Sequence, residues 1–438
     1  LANASQLQLP IPHSFPIGPA MLSQRTGLIF VLATTFALVA IGSVSAADEV
    51  HWNQYRGPSG DGHSTATGLP VEFDDETNVT WKIPIKGKGW SSPVVWGQQI
   101  WLTTAPKDGK QMFAVCVDAK SGEVIHNVLV FENEEPQFCH PLNSYATPTP
   151  VVEAGRVYVH FGVHGTACLD TKTGKKVWER RDLPCNHFRG PASSPVVFEN
   201  LLICQFDGFD LQYVVAMDTA TGATKWKRDR AFDFKTNNGD NKKAYCTPTV
   251  YKYKDKLHLI CPAAVATEAF EPRSGELLWT VRHGGMNASG RPLFAEGLVF
   301  ITNGMGRMVA VKPEGKGDIS DQIVWESGKL VPKKSSLLYS DGLMYMISDN
   351  GVASCLEPKT GEVVWSSRLK GANAASPVYV DGRIYCFSME GDVHVIAPGR
   401  EFKLLSTSKF ESGFMASPAI VDKALILRTK THLYRIEK

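Results

Sequence analysis

Asp218-Thr-Ala-Thr-Gly222, with Trp226 four residues further on, is one copy of a recurring turn and strand. The acidic side chain can accept the backbone N–H groups that follow it, and Gly takes a positive φ that a Cβ would penalise. The pattern is therefore a tight turn leading into a strand that carries one large aromatic side chain. It recurs as Asp118-Ala-Lys-Ser-Gly122, Asp170-Thr-Lys-Thr-Gly174, Glu271-Pro-Arg-Ser-Gly275 and Glu357-Pro-Lys-Thr-Gly361. Trp178, Trp279 and Trp365 follow their glycines at the same spacing, and a longer turn, Lys312 to Gly317, precedes Trp325. The first unit has the residues around Ile125 in place of Trp, and the seventh has Phe402 and Leu404.

Each unit also opens on a second landmark. Ser92-Pro93, Thr147-Pro148, Ser194-Pro195, Thr247-Pro248, Ser376-Pro377 and Ser417-Pro418 each lead into an apolar strand, with weaker versions at Arg291-Pro292 and Ser335-Ser336. That makes eight starts at the spacing of a four-stranded propeller blade. Between the landmarks lie short runs of period two, such as Arg156-Val-Tyr-Val-His160, rich in β-branched and aromatic residues. The expected fold is all-β: an eight-bladed β-propeller of four-stranded antiparallel blades over residues 78–438. Blades bury their faces only by stacking on neighbours. Trp178, Trp226, Trp279, Trp325 and Trp365 are thus expected to dock blade on blade. The last unit stops after His432-Leu-Tyr-Arg-Ile436 with no Trp strand, whereas Asn78-Val-Thr-Trp-Lys-Ile-Pro-Ile85 supplies one at the other end. The strand of Trp81 is expected to complete the last blade and close the ring, which removes the open sheet edge.

The chain has 438 residues, 43% of them hydrophobic, and a formal net charge of +2. That balance argues against nucleic acid as a partner, since nucleic-acid binders present a strongly basic face. Residues 1–20 are polar and Pro-rich and read as a gene-start extension. Residues 21–46 read as a signal peptide: Arg25, an apolar run from Leu28 to Ile41, then Val44-Ser45-Ala46 as a small-residue cleavage site. An uncleaved anchor is the competing reading. Export to the periplasm or cell envelope, with no membrane span left after signal removal, is the expectation. Residues 47–77, with Trp52-Asn-Gln-Tyr-Arg-Gly-Pro-Ser-Gly-Asp-Gly-His63, read as an N-terminal segment that caps one end of the channel.

The alternation of Ser-Pro starts with Asp-x-x-Thr-Gly-x-x-x-Trp resembles the pyrroloquinoline-quinone (PQQ)-type propeller repeat over roughly residues 78–438. Two kinds of protein share that repeat. One comprises the quinoprotein alcohol and glucose dehydrogenases. The other comprises non-catalytic exported propellers, including BamB of outer-membrane assembly. The resemblance to the enzymes implies PQQ with calcium, a carboxylate base and a vicinal disulfide, but no two of the nine Cys are adjacent. The resemblance to the exported propellers implies a scaffold for proteins or peptides, with no cofactor and no catalytic residue. The scaffold is the preferred reading, and a PQQ-dependent oxidoreductase is the alternative.

Loops carry function more often than the blades beneath them. Three long ones, residues 132–145, 183–190 and 232–246, hold the same place in successive repeats and should emerge on one face. Their polar residues His140, Asn143, His187, Arg189 and Asp240 form a candidate site for an anionic or peptide ligand. Their Cys139, His140, Cys185, His187 and Cys246 are of the type that binds a soft metal, though C-x-H and C-H spacings are weak signals beside paired C-x-x-C elements. The competing reading makes them loop-packing residues.

Overall fold

The Ser-Pro starts, turns and Trp strands assemble in a computed structural model that describes residues 51–438. The gene-start extension and the signal peptide expected over residues 1–46 lie outside the described residues. The molecule is an eight-bladed β-propeller of antiparallel four-stranded blades. In blade 1 the strands run Val94–Trp96, Gln99–Thr104, Gln111–Asp118 and Val124–Glu132, from the central axis outwards. Blades 2 to 7 repeat this order, with innermost strands at Val151–Glu153, Val196–Phe198, Thr249–Tyr253, Leu293–Ala295, Leu338–Ser340 and Val378–Val380. Short parallel strands extend two blades: Gly317–Asp318 outside blade 4 and His63–Ser64 beside the innermost strand of blade 7. Among the described residues no helix is long and apolar enough to cross a membrane.

Blade 8 is closed by the N-terminal strand. Val79–Pro84 pairs antiparallel with His432–Ile436, with Trp81 opposite Arg435 and Lys82 opposite Tyr434. Two covalently distant ends thus share one sheet, and a single apolar cluster runs from Trp81 and Leu102 to Leu427 and Tyr434.

The Trp and the turn turn out to be two halves of one device. The ring of Trp178 lies on Gly222 of the next blade, where a Cβ would sit 2.7 Å from the indole. Its Nε1–H donates to Thr219 O at 2.9 Å. Trp81 meets Gly122 and Ala119 O, Trp226 meets Gly275 and Pro272 O, and Trp325 meets Gly361 and Pro358 O in the same way. In the three Asp turns the acidic side chain accepts the amides two and three residues on, as Asp218 does from Ala220 and Thr221 at 3.1 and 3.0 Å, and Glu271 accepts that of Ser274. Trp279 differs. It faces the longer Lys312–Gly317 connection and donates within its own blade to His258 Nδ1 at 3.1 Å. Trp365 donates to Gly399 O at 2.9 Å.

Two units lack Trp. In blade 1 the position is held by His126, within the stretch around Ile125. His126 stands opposite Cys116 as Trp226 stands opposite Ala216, and its ring covers Gly174. Ile125 faces solvent. In blade 7 Ser406 takes the place, opposite Val395, and donates to Val71 O. Phe402 instead packs edge-on against Trp365.

Candidate functional site

The Ser/Thr that opens each blade lies at the channel mouth and links it to its neighbour. Ser92 N donates to Thr149 Oγ1 at 2.9 Å, Thr149 N to Ser194 Oγ at 2.9 Å, and Ser194 N to Thr247 Oγ1 at 3.1 Å. The belt resumes with Arg291 N to Ser336 Oγ, Ser336 N to Ser376 Oγ, Ser376 N to Ser417 Oγ, and Ser417 N back to Ser92 Oγ. The start of blade 2 is therefore Thr149-Pro150, two residues beyond the Thr147-Pro148 read from sequence. The belt lacks a hydroxyl at Arg291 alone, and that side chain has another task. Its Nη1 donates to Tyr55 O at 2.6 Å and its Nε to Thr249 Oγ1 at 2.9 Å.

The segment from Trp52 to His63 lies against the inner strands. Trp52 pairs its backbone with Val95, Asn53 O accepts from Val152 N, and Tyr55 Oη lies 2.9 Å from Ser376 Oγ. Arg56 is buried and donates to three carbonyls, Pro377 O, Asp61 O and Leu337 O. These contacts are structural: both Arg56 nitrogens end on backbone oxygens.

On the loop side Tyr55 forms the floor of a central cavity of about 240 Å³. Its wall includes His140, Asn143 and Arg189 from the first two long loops, Tyr245 from the third, and Trp90. The three loops interlock. His140 N and Asn143 Nδ2 both donate to Arg189 O, at 3.3 and 2.9 Å, and Arg189 Nη2 lies 3.5 Å from Asp240 Oδ2. Asp240 also binds the buried Lys243 Nζ, and these cations hold its carboxyl below the usual range. Lys243 lies over the Phe188 ring at 4.3 Å. Arg189 Nε is buried and makes no hydrogen bond within the protein.

His187 does not join the cavity wall. It turns inward, where Nε2 accepts Val163 N–H at 3.0 Å and the ring stacks near Phe206. Burial pushes it down to about 3, with His164 adding to the shift. Cys185 Sγ faces His187 Nδ1 at 3.7 Å, and burial raises its thiol well above the ordinary range. The other soft donors lie apart. Cys139 rests on Gly190 and points to Arg189 O, His140 Nδ1 accepts Leu142 N–H, and Cys246 is fully buried. So the five Cys and His side chains do not gather into one ligand set, because they are taken up by separate backbone contacts and by packing. Among the described residues no group of three or more His, Cys, Asp or Glu is placed to hold a metal ion.

Sequence reading missed a feature that completes this face. Six exposed apolar side chains lie on it: Phe138 and Leu142 on the first loop, Phe188 on the second, Phe209 and Leu211 on the hairpin of blade 3, and Met305 on that of blade 5. Phe188 and Phe209 stack at 5.4 Å. No two of them are adjacent in sequence, so no apolar run marks them as a group.

The family model described as outer membrane protein assembly factor BamB matches residues 71–251 and 316–400, more than half of the chain. The chain belongs to this family. A BamB of Moranella endobia strain PCIT is 23% identical over 192 residues, 41% of this chain and 48% of its own length. The match thus spans about half the length of that curated relative. Among solved structures, BamB from Moraxella catarrhalis superposes with a TM-score of 0.58 at 12% identity, covering 82% of this chain and 99% of that one. A europium-containing methanol dehydrogenase gives a TM-score of 0.67 at 12% identity, covering 89% and 98%. At such identities these structures share the fold alone.

The dehydrogenase neighbour raises the question of fit for PQQ with calcium. A calcium ion needs several hard oxygen ligands, and alcohol oxidation needs a base. Among the described residues the cavity wall has no Asp or Glu, its charged residues are Arg189 and Lys334, and all nine Cys are unpaired thiols. The residues present at the channel mouth do not fit that group, so no catalytic step is derived through it.

Proposed function

We propose that this chain is an exported scaffold of the cell envelope that holds a protein partner on its loop face and takes part in outer-membrane protein assembly. The observation that carries the reading is the apolar set on the three loops and two hairpins. Phe138 is 61% and Leu142 60% exposed, values that make sense for side chains awaiting a partner. Membership in the BamB family supports the envelope setting. On this reading the protein needs no cofactor and catalyses no reaction, and its partners are proteins or peptides.

The test is made in the cell that produces the protein. Fractionation should recover it outside the cytoplasm, and deletion of its gene should lower the amount of outer-membrane β-barrel proteins. A Phe138→Asp, Phe188→Asp double variant should fold with an unchanged β spectrum, yet lose the envelope protein that co-purifies with the native chain. Unchanged barrel levels together with unchanged co-purification would refute the scaffold. Calcium-dependent binding of PQQ with alcohol-dependent dye reduction would establish the dehydrogenase instead.

A further inference from the structure

The hydroxyl belt has a chemical consequence at the cavity. Ser92, Thr149, Ser194, Thr247 and Ser417 all line it. Each accepts a backbone N–H from the neighbouring blade, which engages an oxygen lone pair. None of the five hydroxyl hydrogens has a protein acceptor among the described residues. A hydroxyl in this state is a donor, and accepting a bond polarises its own O–H further. Ser376, by contrast, is engaged by Tyr55 Oη at 2.9 Å.

Charge points the same way. Lys334 is paired with Asp349 at 2.8 Å. Arg189 shares Asp240 with Lys243, so two cations meet one carboxylate there. Among the described residues no carboxylate lines the cavity. The site therefore offers an excess of donors and a positive charge, between apolar surfaces of Trp90, Leu142 and Met415. What satisfies it is a ligand that only accepts, carries negative charge and has an apolar body. A carboxylate accepts up to about four hydrogen bonds and pairs with a guanidinium. The volume of about 240 Å³ lies below that of drug-sized sites, roughly 300–1,000 Å³.

We propose that the channel mouth is a binding site for a small organic carboxylate, held by Arg189 and the ring of Ser/Thr hydroxyls. Two sources share this chemistry: a free organic acid, and the C-terminal carboxylate of a polypeptide. The proposal rests on the loop face being the binding face, but not on what its apolar rim holds.

Calorimetric titration of the full chain tests it with four probes: benzoate, benzamide, and an N-acetylated tripeptide ending in phenylalanine as free acid and as amide. At least one acid should bind tenfold or more tightly than its amide. Arg189→Gln should weaken that acid at least tenfold, Arg189→Lys less, and Thr247→Val severalfold, with thermal melting confirming that each variant is folded. Binding of the peptide acid alone assigns the site to a chain terminus, and binding of benzoate alone assigns it to a free acid. The proposal is overturned if neither acid binds, if amides bind as well as acids, or if Arg189→Gln binds like the native chain. A Phe138→Asp, Met305→Asp variant separates the two readings. Those side chains do not line the cavity, so it should keep acid binding while losing the protein partner.

Discussion

Four buried histidines carry an energetic consequence out of proportion to their number. His160 and His187 are pushed down to about 3, and His164 and His283 to about 4, in each case chiefly by burial. An unfolded His titrates near ~6.5. Between these values the unfolded chain takes up protons that the folded chain refuses. Stability from these sites is therefore present above about pH 6.5 and lost as the pH falls toward their folded values. Each proton taken up on unfolding contributes a slope of about 1.4 kcal/mol per pH unit. Urea denaturation between pH 7 and pH 4.5 should show a loss steeper than one proton. His160→Gln keeps a partner for Thr166 Oγ1, which now lies 2.8 Å from His160 Nδ1, and should reduce that slope by up to one proton. A pH-independent midpoint would count against neutral burial. At this same scale His187 shows how a residue type misleads. A Cys-x-His spacing reads as ligation, but the ring is engaged by Val163 N–H and the adjacent thiol.

Among the elements, the turn and the Trp strand of the preceding blade are one interaction, and their coupling is measurable. Gly222 sits at φ 74°, with the Trp178 ring where its Cβ would be. Gly222→Ala should cost at least about 1 kcal/mol from backbone conformation alone, and more because the indole must move. In a Trp178→Ala background the second part vanishes. A double-mutant cycle by chemical denaturation should therefore give a coupling of about 0.5 kcal/mol or more. Additive costs would mean that Gly is needed only for its φ. The turn itself was legible from its residues, because acid, Ser/Thr and Gly act within five positions. What the Gly faces was not, because its Trp comes from another blade.

For the whole molecule, closure is the decisive event. Without Val79–Pro84 the strand His432–Ile436 becomes an open edge, and open edges invite pairing with other chains. A chain beginning after Pro84 should aggregate or lose its cooperative melt, and a synthetic peptide of residues 51–85, which restores both the clasp and the segment packed on the inner strands, should restore a monomer. A monomeric truncated chain with an unchanged melt would show that the ring holds without its clasp. The belt of Ser/Thr hydroxyls acts at this scale too, since each bond joins one blade to the next and the last returns to Ser92. It accounts for the Ser/Thr-Pro starts, whose recurrence the sequence displayed without giving a reason.

Local pattern alone determined the blade count, the turn chemistry and the closing strand, because these depend on spacing within a few residues and on a missing strand at one end. It also indicated that residues 132–145, 183–190 and 232–246 would share a face. The tertiary structure decided what that face is. Arg189, Tyr245 and five hydroxyls meet around one cavity because they come from different blades turned about a common axis. Phe138, Phe188, Phe209 and Met305 share the loop face for the same reason. His187, one residue from Phe188, was drawn into the core instead: rotation about the axis and burial are set by the ring as a whole, and no window of sequence contains it.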